Sequence, residues 1–243
     1  MGIIREFATT VRRAAMAMER GDVSRADRRL LVAGLCALGA ALSTPQVASA
    51  HPHVFIDGGV DFVMDGSGDL TALRITWIYD PLASLFLLED LGIASLDDSD
   101  LTPELRAELA ASQTSWMEGY DGDSYLWHDG DRVALSGPVD PTARIEDGRI
   151  VYSFLRDVST PLRPGADTTV KIYDPTYYSA YAVTQTARIE GPSEGCIAEV
   201  EPFEPTPLLA RLQESLAAIP ADGMPEDSEI GVRFAEKAHI RCD

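Results

Sequence analysis

Positive charge, cysteine and long apolar runs are all scarce in this chain. Twenty Lys and Arg stand against 39 Asp and Glu, a formal net charge of −19. Such an excess repels nucleic acid and anionic lipid, so neither is an expected partner. Leu30 to Leu42 is an apolar run of about a dozen residues, too short for a membrane-spanning helix, which needs about 20. The chain has no Gly-rich phosphate loop, no G-x-S-x-G and no helical H-E-x-x-H. These absences remove the usual signs of nucleotide, serine-hydrolase and zinc-protease chemistry, and the chain is not expected to be an enzyme. Low-complexity tracts and interdomain linkers are also missing.

The short apolar run has the setting of an export signal. Arg28 and Arg29 precede it, Ser43-Thr44-Pro45 comes after it, and Ala48-Ser49-Ala50 forms an A-x-A cleavage site. Residues 1–50 are therefore expected to be a cleaved signal peptide, with translation starting at Met1 or downstream at Met16 or Met18. Residues 51–243 are expected to form a single periplasmic domain with no membrane insertion after cleavage. Arg28-Arg29 loosely resembles a twin-arginine signal, but the general secretory route is the expected one. The leader holds seven of the 20 basic and four of the 39 acidic residues, which leaves the exported part at about −22. Cations accumulate near such a surface.

Of the three cysteines, Cys196 and Cys242 survive cleavage. An even number in an exported chain points to a disulfide, with a thiolate metal site as the alternative. The bridge would tie the last strand to the middle of the sheet and stabilise by roughly 3 to 4 kcal/mol in the chain-entropy model.

Hydrophobic periodicity gives the architecture. Val54–Val63 and Leu70–Tyr79 flank a turn cluster at 64–69 and read as a β-hairpin, with Leu73, Ile75 and Trp77 on one face. Asp80-Pro81 opens a helix that runs to Gly92, is apolar nearly all round and should be buried. Thr102-Pro103 opens a second helix, with Leu105, Leu109 and Trp116 as its stripe. Three runs of β-formers between Ser124 and Asp157 suggest an antiparallel meander. Strands come next at Thr168–Tyr173, Ala180–Ile189 and Cys196–Val200. A third helix begins at Thr206-Pro207, and Ile230–Cys242 closes the chain. The fold class is α+β: a mainly antiparallel β-sheet assembly with about three helices and one disulfide. Tyr79-Asp80-Pro81 and Tyr173-Asp174-Pro175 echo each other, and each Asp is expected to be a capping residue.

All four histidines fall after the leader. Cleavage after Ala50 would make His51 the first residue, so its α-amine, its imidazole and the imidazole of His53 would lie close together. In an extended strand the two side chains share a face. An amine and a neighbouring imidazole can chelate one ion as a brace, which His53 or the more distant His128 would complete. Zn, Cu, Ni or Co would accept such donors. Pro52 has no amide proton to lose, which excludes the square-planar site built on deprotonated amides of residues two and three. Asp57 continues the parity of the histidines and is a further candidate ligand, although acids on an edge strand need no such purpose. His239 is expected to be packed or exposed.

Five motifs in order, His51-Pro52-His53-Val54-Phe55, Trp77-Ile78-Tyr79-Asp80, Leu87-Leu88-Glu89-Asp90, Ile172 through Tyr178, and Phe234-Ala235-Glu236-Lys237 with Arg241-Cys242, resemble the bacterial periplasmic family called domain of unknown function 1007. The resemblance spans almost all of residues 51–243. It implies a periplasmic component of a transport system, often associated with inner-membrane nickel and cobalt transporters. The expected function is thus a divalent-metal-binding accessory that binds or delivers an ion for such a transporter. The alternatives are a metal-free interaction module of a transport system and a histidine-brace copper oxidoreductase.

Overall fold

The computed structural model describes residues 51–201, 203–220 and 223–243. The expected leader and its cleavage site lie outside these residues. Three α-helices and eleven strands are found among the described residues, arranged around two mostly antiparallel sheets, which makes the fold α+β.

Strands β1 (Val54–Met64) and β2 (Leu70–Tyr79) form the expected hairpin, with Val60 opposite Ile75 and Gly58 opposite Trp77. Asp65 closes its turn, its Oδ1 accepting from the amides of Ser67 and Asp69 at 2.8 and 3.0 Å. Helix α1 (Pro81–Asp90) is capped by Asp80, whose Oδ1 accepts from the amides of Leu82 and Ala83. It ends at Gly92 in the left-handed region (φ 68°). The expectation that this helix is buried is corrected: Leu82 and Phe86 are each 61% exposed and Leu85 48%, while only Ser84 and Leu88 are buried. The inward contact is mixed: Leu88 joins the apolar core, with Ala83 and Leu87 packed against it, and Ser84 Oγ accepts from the Ile150 amide at 3.0 Å. One narrow line of the helix is all that the sheet covers.

A 3₁₀ turn at Asp98–Asp100 precedes helix α2 (Pro103–Thr114). Asp98 accepts from the Arg106 guanidinium and from the Ile145 amide at 2.7 Å, docking this helix on the first sheet. Leu109 is buried as expected, whereas Trp116 falls beyond the helix and reaches the core from the following turn.

The meander expected between Ser124 and Asp157 is divided between the sheets. β3 (Ser124–His128) and β4 (Asp131–Val133) enter a five-stranded sheet, while β5 (Val139–Glu146) and β6 (Arg149–Leu162) pair beside β2 in the other. Alternation assigns a face to each strand but no partner, so a run of hairpin-like segments does not fix the sheet to which each belongs. β7 (Thr168–Ile172) is next, then β8 (Ser179–Val183) and β9 (Arg188–Glu190), both parallel to β1. β10 (Cys196–Glu201), α3 (Pro207–Ala217), a 3₁₀ turn at Ile230–Phe234 and β11 (Glu236–Cys242) complete the chain.

One sheet runs β5-β6-β2-β1-β8, with β9 also on β1, and the other runs β10-β11-β7-β3-β4. Their buried faces, including Phe62, Ile75, Tyr152 and Phe154 from one and Leu126, Val170, Ile172 and Ile240 from the other, contribute to one apolar cluster. Cys196 lies opposite Cys242 in the β10/β11 ladder and the two are joined as a disulfide. The bridge ties the last strand to an edge strand, not to the middle of the sheet as expected.

Candidate functional site

The echoing aspartates hold the segment that carries His53. Asp80 Oδ2 accepts from the Phe55 amide at 3.0 Å, and the Asp80 amide donates back to Phe55 O at 2.9 Å. Asp174 caps no helix. Its Oδ1 accepts from the Thr176 amide and its Oδ2 from the Ser179 amide, which shapes the loop carrying Tyr178. Tyr178 O then accepts from the His53 amide at 2.8 Å. The start of β1 is therefore pinned from both flanks, by the β2–α1 corner and by the loop before β8.

His51 and His53 are brought together. Their ring centroids are 4.9 Å apart, edge to face, and His53 stacks on Tyr178 at 4.5 Å. The His51–Pro52 peptide is cis. His51 is buried, and neither of its ring nitrogens has a hydrogen-bond partner among the described residues. Burial, and after it the neighbouring His53, lowers the His51 pKa, with Asp174 opposing. The neutral imidazole thereby favoured is the form that ligates metals. With metal–nitrogen bonds of about 2.0–2.1 Å, two imidazoles bound to one ion at an angle of about 90 to 110° hold their centroids roughly 4.5 to 5.3 Å apart, and about 6.4 Å apart when they lie trans.

The other two candidate ligands are engaged elsewhere. Asp57 Oδ2 accepts from Arg149 at 2.6 Å, and the same guanidinium donates to the carbonyls of Ile78 and Tyr79. His128 belongs to the five-stranded sheet, where Nδ1 meets Thr168 Oγ1 at 2.9 Å and Nε2 lies 3.4 Å from the Asp129 carboxylate. His239 is half-buried between Thr169 and Glu201 at 2.9 Å each. Among the described residues no three His, Cys, Asp or Glu side chains converge on a common metal position.

Beside the histidine pair lies a feature that no sequence motif signalled. A cleft of about 690 Å³ runs from His53 and Tyr178 to Asp123, walled by Trp77, Tyr79, Trp116 and Tyr181 and rimmed by Leu82 and Phe86 of α1. Asp123 sits in the loop before β3 in the left-handed region (φ 49°) and is 5% exposed. Its Oδ2 accepts from the hydroxyls of Tyr120 and Tyr181, both at 2.8 Å, whereas Oδ1 has no partner. Burial pushes its pKa up to about 7, with Asp174 adding to the rise and the two tyrosines and Arg156 opposing it. Gly122 beside it is required, because a Cβ there would run into the Trp116 ring.

The parts of the cleft come from β2, the end of α2, the loop before β3 and β8, more than 100 residues apart in sequence. No local spacing could have grouped them. The one available sign was the apolar character of α1, here left at the cleft rim in water.

A protein of Haemophilus influenzae described as "Uncharacterized protein" is 24% identical over 200 residues, covering 80% of this chain and 92% of that one. The family model "Protein of unknown function (DUF1007)" matches residues 36–242. That match takes in the His51–His53 segment, both sheets and the paired cysteines, and the chain belongs to the DUF1007 family.

Proposed function

We propose that this protein is a periplasmic accessory that binds a divalent transition ion through His51 and His53 and delivers it to, or receives it from, an inner-membrane transporter. The observation that carries the reading is the proximity of the two imidazoles, at a centroid separation that one shared ion would allow, one of them buried with both nitrogens unpartnered. Unpaired buried polar atoms cost about 1 to 3 kcal/mol each, and an ion would satisfy one of them. The side chains supply two donors. The third comes from the α-amine of His51 once the chain is cleaved after Ala50. Copper(II), nickel(II), cobalt(II) and zinc accept such a set.

Intact and native mass spectrometry of the exported protein, followed by titration with each ion, tests this. The expected result is a chain starting at His51 that holds one ion, with binding abolished by His51→Ala and strongly weakened when one residue is added before His51. A chain starting elsewhere, or one that stays empty with all four ions, refutes the reading.

The exposed apolar residues of α1 favour a second reading, a metal-free module that docks on a transport protein through this helix. In that case the edge-to-face packing of His51 on His53 serves structure alone.

A further inference from the structure

We propose that the aromatic cleft is a binding site for an organic monocation, an ammonium group carried on an apolar or aromatic body, with Asp123 as its counter-ion. The volume of about 690 Å³ lies within the range of about 300 to 1,000 Å³ typical of small-molecule sites. Trp77, Tyr79, Trp116, Tyr120 and Tyr181 are among its walls, and indole and phenol faces attract cations through their quadrupoles. Trp77 and Trp116 lie with ring centroids 6.2 Å apart at an interplanar angle of 27°.

Charge selects the cation. Asp123 is buried and makes no ion pair among the described residues. Arg156 is the nearest candidate, with its guanidinium 5.1 Å from the Trp116 ring centroid. Its hydrogen bonds go instead to the carbonyls of Asp121, Ser124 and Ser136 and to Ser124 Oγ. Tyr120 and Tyr181 clamp one carboxylate oxygen by two neutral hydroxyls and leave the other unsatisfied. A buried carboxylate is costly unless a cation accompanies it. No Lys or Arg is among the described residues that line the cleft, so an anionic ligand would meet the Asp123 carboxylate without a Lys or Arg to offset it. Of the histidine pair, His53 is among the lining residues, and the proposal requires no metal bound to it.

The test uses three probes of similar shape and different charge, namely benzylammonium, benzyl alcohol and benzoate, titrated into the metal-free protein at about pH 8, where the carboxyl is largely ionised. Calorimetry and quenching of tryptophan fluorescence report binding, since Trp77 and Trp116 line the cleft. Benzylammonium is expected to bind saturably and about ten-fold or more tighter than benzyl alcohol, with benzoate not binding. Asp123→Asn keeps the shape and the acceptor for both tyrosines. It should weaken benzylammonium by about ten-fold while changing benzyl alcohol by less than about two-fold. Equal binding of the cation and the alcohol, preference for benzoate, or no saturable binding of any probe to the unsubstituted protein overturns the proposal. The ranking of probes on that protein decides it even if the variant fails to fold.

Discussion

The hydroxyl of Tyr181, on β8 of one sheet, donates to Oδ2 of Asp123, in the loop that leads into β3 of the other, at 2.8 Å across 58 residues of sequence. Both residues line the cleft, and the contact holds a carboxyl that is 5% exposed.

That arrangement sets a pH dependence. The Asp123 carboxyl moves from an ordinary value of 3.8 to about 7 on folding, through burial foremost. Between those values the folded protein holds a proton that the unfolded chain has released, so stability falls as pH rises from about 4 to about 7. Tyr120, Tyr181, Arg156 and Asp174 are the groups facing it. Asp123→Asn does not titrate. It should be more stable than the parent by a few kcal/mol at about pH 8, with the difference shrinking toward about pH 5. Urea unfolding at the two pH values measures this; a difference that does not change with pH contradicts the assignment.

Asp57→Asn separates ion pairing from metal binding. The pair with Arg149 is partly solvated, with side chains 35% and 26% exposed, and its loss should cost no more than about 1 kcal/mol. Metal affinity at His51 and His53 should stay within about two-fold. A loss of ion binding comparable to that of His51→Ala would place Asp57 among the ligands.

Gly231→Ala should damage the loop under the histidines. The Gly231 amide donates to Pro175 O at 2.8 Å, and an added Cβ would run into the Asp174 carbonyl. Backbone cannot yield as a flexible side chain does, so a destabilisation of about 1 to 3 kcal/mol is expected. Because Asp174 shapes the loop carrying Tyr178, metal binding should weaken along with stability.

Removing the Cys196–Cys242 bridge by a double Cys→Ser substitution opens a sequence separation of 46 residues. The chain-entropy model gives a loss of about 4 kcal/mol. Denaturant titration of this variant, beside the parent with and without reductant, should show reductant lowering only the parent.

Phe86→Ser tests whether α1 is free on its outer face. A side chain 61% exposed should change stability by no more than about 0.5 kcal/mol. A thermal melt showing a loss above about 2 kcal/mol would mean that the residue is packed.

Much of this architecture can be read along the chain. Leu73, Ile75 and Trp77 share a face because alternation has a period of two, and Asp80-Pro81, Thr102-Pro103 and Thr206-Pro207 open helices because cap and proline suit the first turn. The disulfide is legible in an even cysteine count outside the expected leader. Arg156 shows where such reading stops. Its even-numbered position on β6 puts it on the inward face with Ile150, Tyr152 and Phe154, and only the carbonyls brought to it from other loops make that burial possible.

The candidate site divides in the same way. The sequence by itself determined that two imidazoles lie close, since His51 and His53 are two residues apart in a covalent chain. It determined nothing about whether His128 or Asp57 would join them. Tertiary structure placed His128 in the second sheet and gave Asp57 to Arg149. It also assembled Asp123, Trp77, Trp116 and Tyr181 around one cleft. The reason is physical: local spacing fixes what the backbone's own geometry can reach, whereas long-range neighbours are set by which buried faces pack together, and that depends on the whole core at once.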